Sequence, residues 1–281
     1  MKRLLLTGGT GFVGRNILPI LREKFEVCAP SRAELNLLDE KQVYSFIEKG
    51  HFDYIFHGAN PNPSKNPLDG KEHLGTDSLR VYFSLRRCSS FFGKMFYLGS
   101  GAEYDKRFDI VSAKEEEIDH RLPKDDYGFA KYLMNYDARH SSNIYNLRIF
   151  GCYGPTDAKS KFIRDAIDCC LENRPITIRQ NCMFDYMYVN DLGRIACLLL
   201  EKDHLSFHDY NVCSGRRISL MEIAEIVKAQ MKNPYQIEVM KDGWNQEYTG
   251  DNSRLLKEIP DFVFTSMQDG IAHQIAWQRE V

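Results

Sequence analysis

Short apolar runs alternate with amphipathic stretches through the first half of the chain. Residues 2–6, 26–29, 54–57, 95–98 and 144–148 have the length and composition of buried strands. Between them, residues 12–23, 40–49, 79–88 and 127–139 carry apolar side chains at three- and four-residue spacing, which lines one face of a helix. Strand and helix alternating in this way predict repeated βαβ units. The expected fold class is therefore α/β, a Rossmann-type doubly wound parallel sheet with helices on both faces.

After Arg148 the rhythm loosens. A Gly151-Cys152-Tyr153-Gly154-Pro155 turn precedes a predicted helix at 162–171, a strand at 176–178, a helix from about Asp191, a helix at 220–231 and a strand at 236–239. This predicts residues 1–156 as the main domain with a returning segment near 183–208. Residues 157–182 and 209–281 then form a smaller interleaved α/β lobe. No low-complexity linker separates the two, so they should pack directly on each other.

At 281 residues, 43% hydrophobic and 27% charged, the composition is that of a globular protein with a sizeable core. The net charge of -2, with basic residues scattered, argues against nucleic acid or an anionic membrane surface as partner. The opening apolar run, Leu4 to Leu6, is too short for a signal peptide, and no later run has the length to span a bilayer, so a cytoplasmic protein is expected. None of the eight cysteines forms a CxxC pair, which points to reduced, buried thiols and no metal site.

The first strand runs into Thr7-Gly8-Gly9-Thr10-Gly11-Phe12-Val13-Gly14 and then into an amphipathic helix. Gly8 permits a tight turn, Gly11 lets backbone approach a diphosphate, and Gly14 lets helix and strand pack closely. A dinucleotide held by backbone N–H groups at the positive helix end follows. Thr10, Phe12 and Val13 belong to the same turn; Asn36, Leu37, Gly58, Ala59, Asn60 and Phe150 are expected to border the same crevice. The second strand ends Ala29-Pro30-Ser31-Arg32 with no acid before Glu34. A carboxylate there would take ribose hydroxyls and an arginine a 2′-phosphate, so NADP(H) is favoured over NAD(H).

Tyr127-Gly128-Phe129-Ala130-Lys131 sets a phenol and an ammonium one helical turn apart. In a chain with 15 tyrosines that spacing carries little alone. Its place after a strand ending Gly99-Ser100-Gly101 carries more, because in a parallel sheet both features face the dinucleotide crevice. A nearby cation is expected to lower the phenol pKa so that Tyr127 exchanges a proton with a substrate oxygen, with Ser100 bonded to that oxygen.

Together with Leu147-Arg148-Ile149-Phe150-Gly151-Cys152-Tyr153-Gly154-Pro155 and Phe184-Asp185-Tyr186-Met187-Tyr188-Val189-Asn190-Asp191, these residues resemble the extended short-chain dehydrogenases/reductases, the NAD(P)-dependent epimerase/dehydratase group. The likeness spans nearly the whole chain. The stretch from Ser31 to Asp39 looks like its equivalent in GDP-fucose synthases, which use NADPH. The resemblance implies a catalytic triad of Ser100, Tyr127 and Lys131, with Lys131 also holding the nicotinamide ribose. It further implies a nucleotide-diphosphate sugar as substrate, and a homodimer paired through helices 79–88 and 127–139.

The departures narrow the reaction. Sugar dehydratases of this group carry an Asp-Glu pair directly after the active-site hydroxyl, where this chain has Gly101 and Ala102; Glu103 is one residue out of register. Fucose synthases epimerise with a cysteine at the position of Ala102 and a histidine at about that of Lys161, and neither replacement is suited to moving a carbon-bound proton. Reduction of a 4-keto-6-deoxy sugar is what remains. An epimerase with retained NAD(P) and a non-catalytic dinucleotide-binding protein are the alternatives. Asn62, Ala102, Glu103, Lys161, Arg179 and Arg254 are expected on the substrate side. Arg179, Arg216 or Arg254 would supply the charge absent at Phe184, where relatives often carry arginine.

Overall fold

The computed structural model describes residues 1–61 and 73–280. The first half reads β1 (Arg3–Thr7), α1 (Phe12–Arg22), β2 (Glu26–Cys28), α2 (Glu40–Gly50), β3 (Tyr54–His57), α3 (Leu74–Arg86), β4 (Lys94–Ser100), β5 (Ile110–Ala113), α4 (Asp126–Arg139) and β6 (Ile144–Ile149). Then come β7 (Gly151–Tyr153), α5 (Phe162–Leu171), β8 (Thr177–Asn181), β9 (Met183–Phe184), β10 (Tyr186–Tyr188), α6 (Val189–Glu201) and β11 (Asp209–Val212). The chain closes with β12 (Ile218–Ser219), α7 (Leu220–Met231), β13 (Glu238–Trp244), β14 (Tyr248–Gly250), α8 (Ser253–Glu258) and α9 (Met267–Gln278).

Six parallel strands form the central sheet in the order β11-β6-β4-β3-β1-β2. The chain steps outward from β1 to β2, then returns to the other side of β1 at β3. That reversal opens a crevice beyond the carboxyl ends of β1 and β3. Alternation along β1 divides the core. Leu4 and Leu6 join Ile17, Leu21, Leu192 and Ile195 under α1 and α6. Leu5 faces the other way, with Val43, Ile47, Val81 and Met134 under α2, α3 and α4.

The smaller lobe has its own core of Ile163, Ile167, Ile178, Ile223, Val227 and Ile271, joining α5, α7 and α9 to β8. One boundary is corrected. Residues 209–212, expected in that lobe, are the edge strand of the central sheet, paired in parallel with β6 from Asp209–Asn146 to Val212–Ile149. The strand is short and bears polar Asp209 and Asn211, both buried, so its hydropathy hid it. The start of α3 at Leu74, five positions before the expected 79, is a smaller correction. No described helix is long and apolar enough to cross a membrane.

Candidate active site

The glycine turn is built as a phosphate cradle. Gly8 has φ of +78°, and a Cβ there would lie 2.6 Å from the Ala59 backbone nitrogen, so the turn after β1 presses directly on the end of β3. Gly58 N–H donates to the Thr7 carbonyl at 3.1 Å, closing the same contact. A Cβ on Gly14 would meet the Gly9 Cα at 2.7 Å, which is how closely α1 sits on the turn. Gly11 caps α1 with no side-chain bond, and the first turn holds no acidic residue. The leading N–H groups are thus unclaimed by side chains and at the positive helix end, which fits an anionic diphosphate. Thr10 is exposed and Phe12 and Val13 half-buried on this rim. Asn16 Nδ2 donates to the Pro155 carbonyl at 2.8 Å, fastening α1 to the Gly154-Pro155 turn.

At the β2 end, Arg32 is exposed with no ion pair among the described residues. Glu34 folds back so that its carboxylate accepts from Ser31 N–H at 2.7 Å. A carboxylate therefore does stand at the β2 end, held on the Ser31 backbone, although no acid precedes Glu34 in the sequence there. Asn36 Oδ1 accepts from Leu38 N–H at 3.2 Å, shaping the turn, and Leu37 packs against the core.

The structure brings Ser100, Tyr127 and Lys131 together. Ser100 ends β4; its Oγ accepts from Ala102 N–H at 3.1 Å, and its own N–H donates to Glu103 Oε1 at 3.0 Å. Asp125 caps α4, accepting from Gly128 N–H at 2.9 Å. Gly128 lies so near the Ala102 carbonyl that a side chain would clash, and this locks the first turn of α4 onto residues 101–103. Tyr127 is consequently set against Ser100, whose side chain acts on its phenol. Lys131 Nζ lies 5.9 Å from the Tyr127 ring centroid.

The electrostatics depart from expectation. Burial pushes the Tyr127 phenol above its ordinary pKa, with the Ser100 side chain pulling against it, so the phenol is not lowered as the neighbouring cation led one to expect. Lys131 itself is lowered to about 8 by burial, with Glu103 opposing. A phenol held protonated at neutral pH is suited to giving a proton, the direction a reduction needs.

A fourth group, unsignalled in the sequence, completes the site. Tyr248 from β14 also acts on this group through Ser100, and its hydroxyl occupies the space a side chain on Gly101 would need. Phe150 packs between Tyr104 and Tyr248, its ring against Gly101. Tyr248 is separated from Ser100 by most of the chain, and only strand pairing of β14 with β5 and β9 delivers it.

The substrate-side expectations fare unevenly. Glu103 is fully buried, its carboxylate taken by Arg148 Nε at 2.7 Å and Asn146 Nδ2 at 2.9 Å; it points into the protein, not toward a ligand. Arg254 is also spoken for, by Asp209 Oδ1 and Glu116 Oε1, each at 2.6 Å, and its charge is compensated. Ala102 is buried beside Ser100, while Lys161 at the start of α5 and Arg179 on β8 are exposed. No hydrogen bond or ion pair joins Lys161 or Arg179 to the Ser100 group among the described residues. Asn60 follows Ala59 at the crevice, and Asn62 lies outside the described residues. All eight cysteines are free thiols.

Comparison with known proteins gives the family and the fold. The model of the NAD dependent epimerase/dehydratase family matches residues 4–213. A GDP-L-fucose synthetase from Naegleria fowleri, solved bound to NADP, superposes with a TM-score of 0.85 at 17% identity, covering 99% of this chain and 93% of that one. A GDP-mannoheptose C4 reductase from Campylobacter jejuni, with NADP bound, gives 0.85 at 15% identity, covering 99% and 98%. A UDP-glucose 4-epimerase from Thermotoga maritima, solved with UDP-glucose, gives 0.82 at 19% identity, covering 99% of each. At these identities the likeness establishes the fold.

Proposed function

The chain belongs to the NAD dependent epimerase/dehydratase family, and on that premise we propose that it reduces a 4-keto-6-deoxyhexose carried on a nucleotide diphosphate, with NADPH as reductant. The observation that carries this reading is the pair of hydroxyls, Tyr127 and Ser100, set together at the end of β4 beside a buried Lys131, with the methyl of Ala102 where fucose synthases carry their cysteine. A proton donor and an oxygen-binding hydroxyl are present; among the described residues no carboxylate, imidazole or thiol hydrogen-bonds these two hydroxyls as a base for a carbon-bound proton.

The glycine turn, with its unclaimed N–H groups, binds the diphosphate of the dinucleotide, and Arg32 takes the 2′-phosphate. The chemistry that the bound dinucleotide brings is a hydride for the carbonyl carbon. Ser100 Oγ donates a hydrogen bond to the ketone oxygen and orients it. Tyr127 gives that oxygen its proton, so ketone, hydride and proton together make the alcohol. Lys131, anchored on the Leu98 carbonyl, holds the nicotinamide ribose. Exposed Phe83 on α3 and Phe129 and Tyr136 on α4 suit a homodimer paired through these helices. Free thiols and an NADPH-linked reaction suit the cytoplasm.

The test is a screen of 4-keto-6-deoxy sugars on GDP, dTDP, CDP and UDP, followed at the nicotinamide absorbance. One sugar should consume NADPH stoichiometrically. Purification with bound cofactor and sugar conversion without net absorbance change would instead establish an epimerase.

A further inference from the structure

Beneath the end of β4 lies a buried charge that the reaction described above does not use. Glu103 Oε1 accepts from Ser100 N–H at 3.0 Å, Oε2 accepts from Arg148 Nε at 2.7 Å, and Asn146 Nδ2 donates to both oxygens at 3.2 and 2.9 Å. Every neighbour at hydrogen-bond distance is a donor and none accepts; these donors favour the carboxylate, working against the burial that raises its pKa. It is wholly buried, as is Arg148. Gly99 exists to admit it: a side chain at that position would fill the space taken by the Glu103 carboxylate and the Asn146 amide.

The surrounding charges leave Glu103 only partly neutralised. Arg148 divides itself between Glu103 and Asp209, its NH2 nitrogen 3.0 Å from Asp209 Oδ2. Asp209 is met in turn by Arg254 at 2.6 Å, and Arg254 also faces Glu115 and Glu116. Tyr97 from β4, Tyr104 beside it in the chain, Tyr127 from α4 and Tyr248 from β14 surround the carboxylate as uncharged phenols. Among the described residues the other cation acting on Glu103 is Lys131 from α4. Lys131 for its part is faced by Glu103, by the Tyr97 and Tyr127 rings at 6.0 and 5.9 Å, and by His57 from β3, which burial keeps neutral.

We infer that Glu103 is a positioning residue for the reacting group: its carboxylate fixes the backbone of Ser100 by a direct hydrogen bond and serves as the counter-charge that keeps Lys131 an ammonium in a buried site. The inference rests on the reading of Ser100, Tyr127 and Lys131 given under the proposed function. A buried ion pair is by itself weak support for stability, since apolar residues of equal volume often serve as well. A carboxylate bonded to the backbone of the residue that holds the substrate oxygen, and facing the lysine, has a second use.

The experiment reads Lys131 directly, without sugar or cofactor. Protein labelled with ¹³C at lysine Cε is titrated by NMR, the Lys131 signal being assigned by its loss in Lys131→Met. In Glu103→Gln the Lys131 midpoint should fall by about one pH unit from its value near 8, because losing an opposite charge that acts on a buried group shifts it by about that much. An unchanged midpoint in a folded Glu103→Gln overturns the inference, whether or not a sugar substrate has been found. NADPH consumption by the parent then upholds the reductase reading separately. Should Glu103→Gln not fold, Glu103→Asp carries the test. It keeps the charge but withdraws from Ser100 N–H, so kcat should drop about tenfold with the NADPH dissociation constant and the Lys131 midpoint unmoved. Parent-like kcat in that variant overturns the positioning role.

Discussion

Lys131 Nζ donates to the backbone carbonyl of Leu98 at 2.8 Å, tying the middle of α4 to the strand that ends in Ser100. The bond fixes the ammonium, and the burial that comes with it lowers the pKa from 10.5 to about 8. As pH rises through 8 the folded protein therefore loses this charge, well before an exposed lysine would. The rate of reduction should fall above pH about 8, approaching tenfold per unit. Lys131→Arg, which keeps its charge at any working pH, should remove that limb from the pH profile of kcat. A limb that survives in Lys131→Arg would assign it elsewhere.

Tyr127→Phe removes the proton donor and leaves the ring. kcat should drop about 10²–10⁴-fold while NADPH binds as before, measured by fluorescence titration. Near-parent turnover would displace the proton donor to another group, and Tyr248, whose hydroxyl lies against Gly101, would be replaced next.

Arg32 and the folded-back Glu34 oppose each other at the β2 end. Arg32→Ala should weaken NADPH by about 1–3 kcal/mol and leave NADH nearly unchanged, as for a charge-assisted phosphate contact. Glu34→Gln should shift preference further toward NADPH. Calorimetric titration of both cofactors into both variants decides this; equal losses for the two cofactors in Arg32→Ala would remove Arg32 from the site.

Reduction without epimerisation should leave carbon-bound hydrogens in place. Run in D₂O with NADPH, the reaction should give product carrying no deuterium at C3 or C5 by NMR. Deuterium there at a level tracking turnover would require a carbon base. Asp157, which burial raises to about 6, would then be the first group to replace.

His57 hydrogen-bonds Thr7 Oγ1 through Nδ1 at 2.7 Å, and burial lowers its pKa from 6.5 to about 3, with Lys131 adding to the effect. Below pH 6.5 the unfolded chain takes up a proton that the folded one refuses until about 3. Stability therefore declines as pH falls across that window. The contribution is about 2–5 kcal/mol by linkage. Between pH 7 and 4 the urea midpoint of His57→Gln should fall less than that of the parent; parallel losses would show that other groups govern acid unfolding.

The sequence by itself determined the elements and the chemistry that depend on neighbours along the chain. Alternating apolar runs and helical faces are local patterns, so five strands of the central sheet and its helices were legible, and α5 and α7 were read to the residue. The glycine turn was legible because each glycine answers to backbone a few residues away. Tyr127 and Lys131 were legible because one helical turn joins them.

What sequence could not supply was anything set by strand pairing between distant segments. Tyr248 reaches Ser100 only because β14 pairs with β5 and β9. Glu103 read as a residue of the substrate side because it follows Ser100 closely. A turn of 3₁₀ helix instead directs its side chain inward, onto Arg148 and Asn146 of β6. Arg254 read as a free cation until β11 set Asp209 against it. Burial decided the charges as well. The expected cation-lowered phenol became a protonated donor, because the low-dielectric interior that gathers these groups raises a tyrosine and lowers a lysine at once.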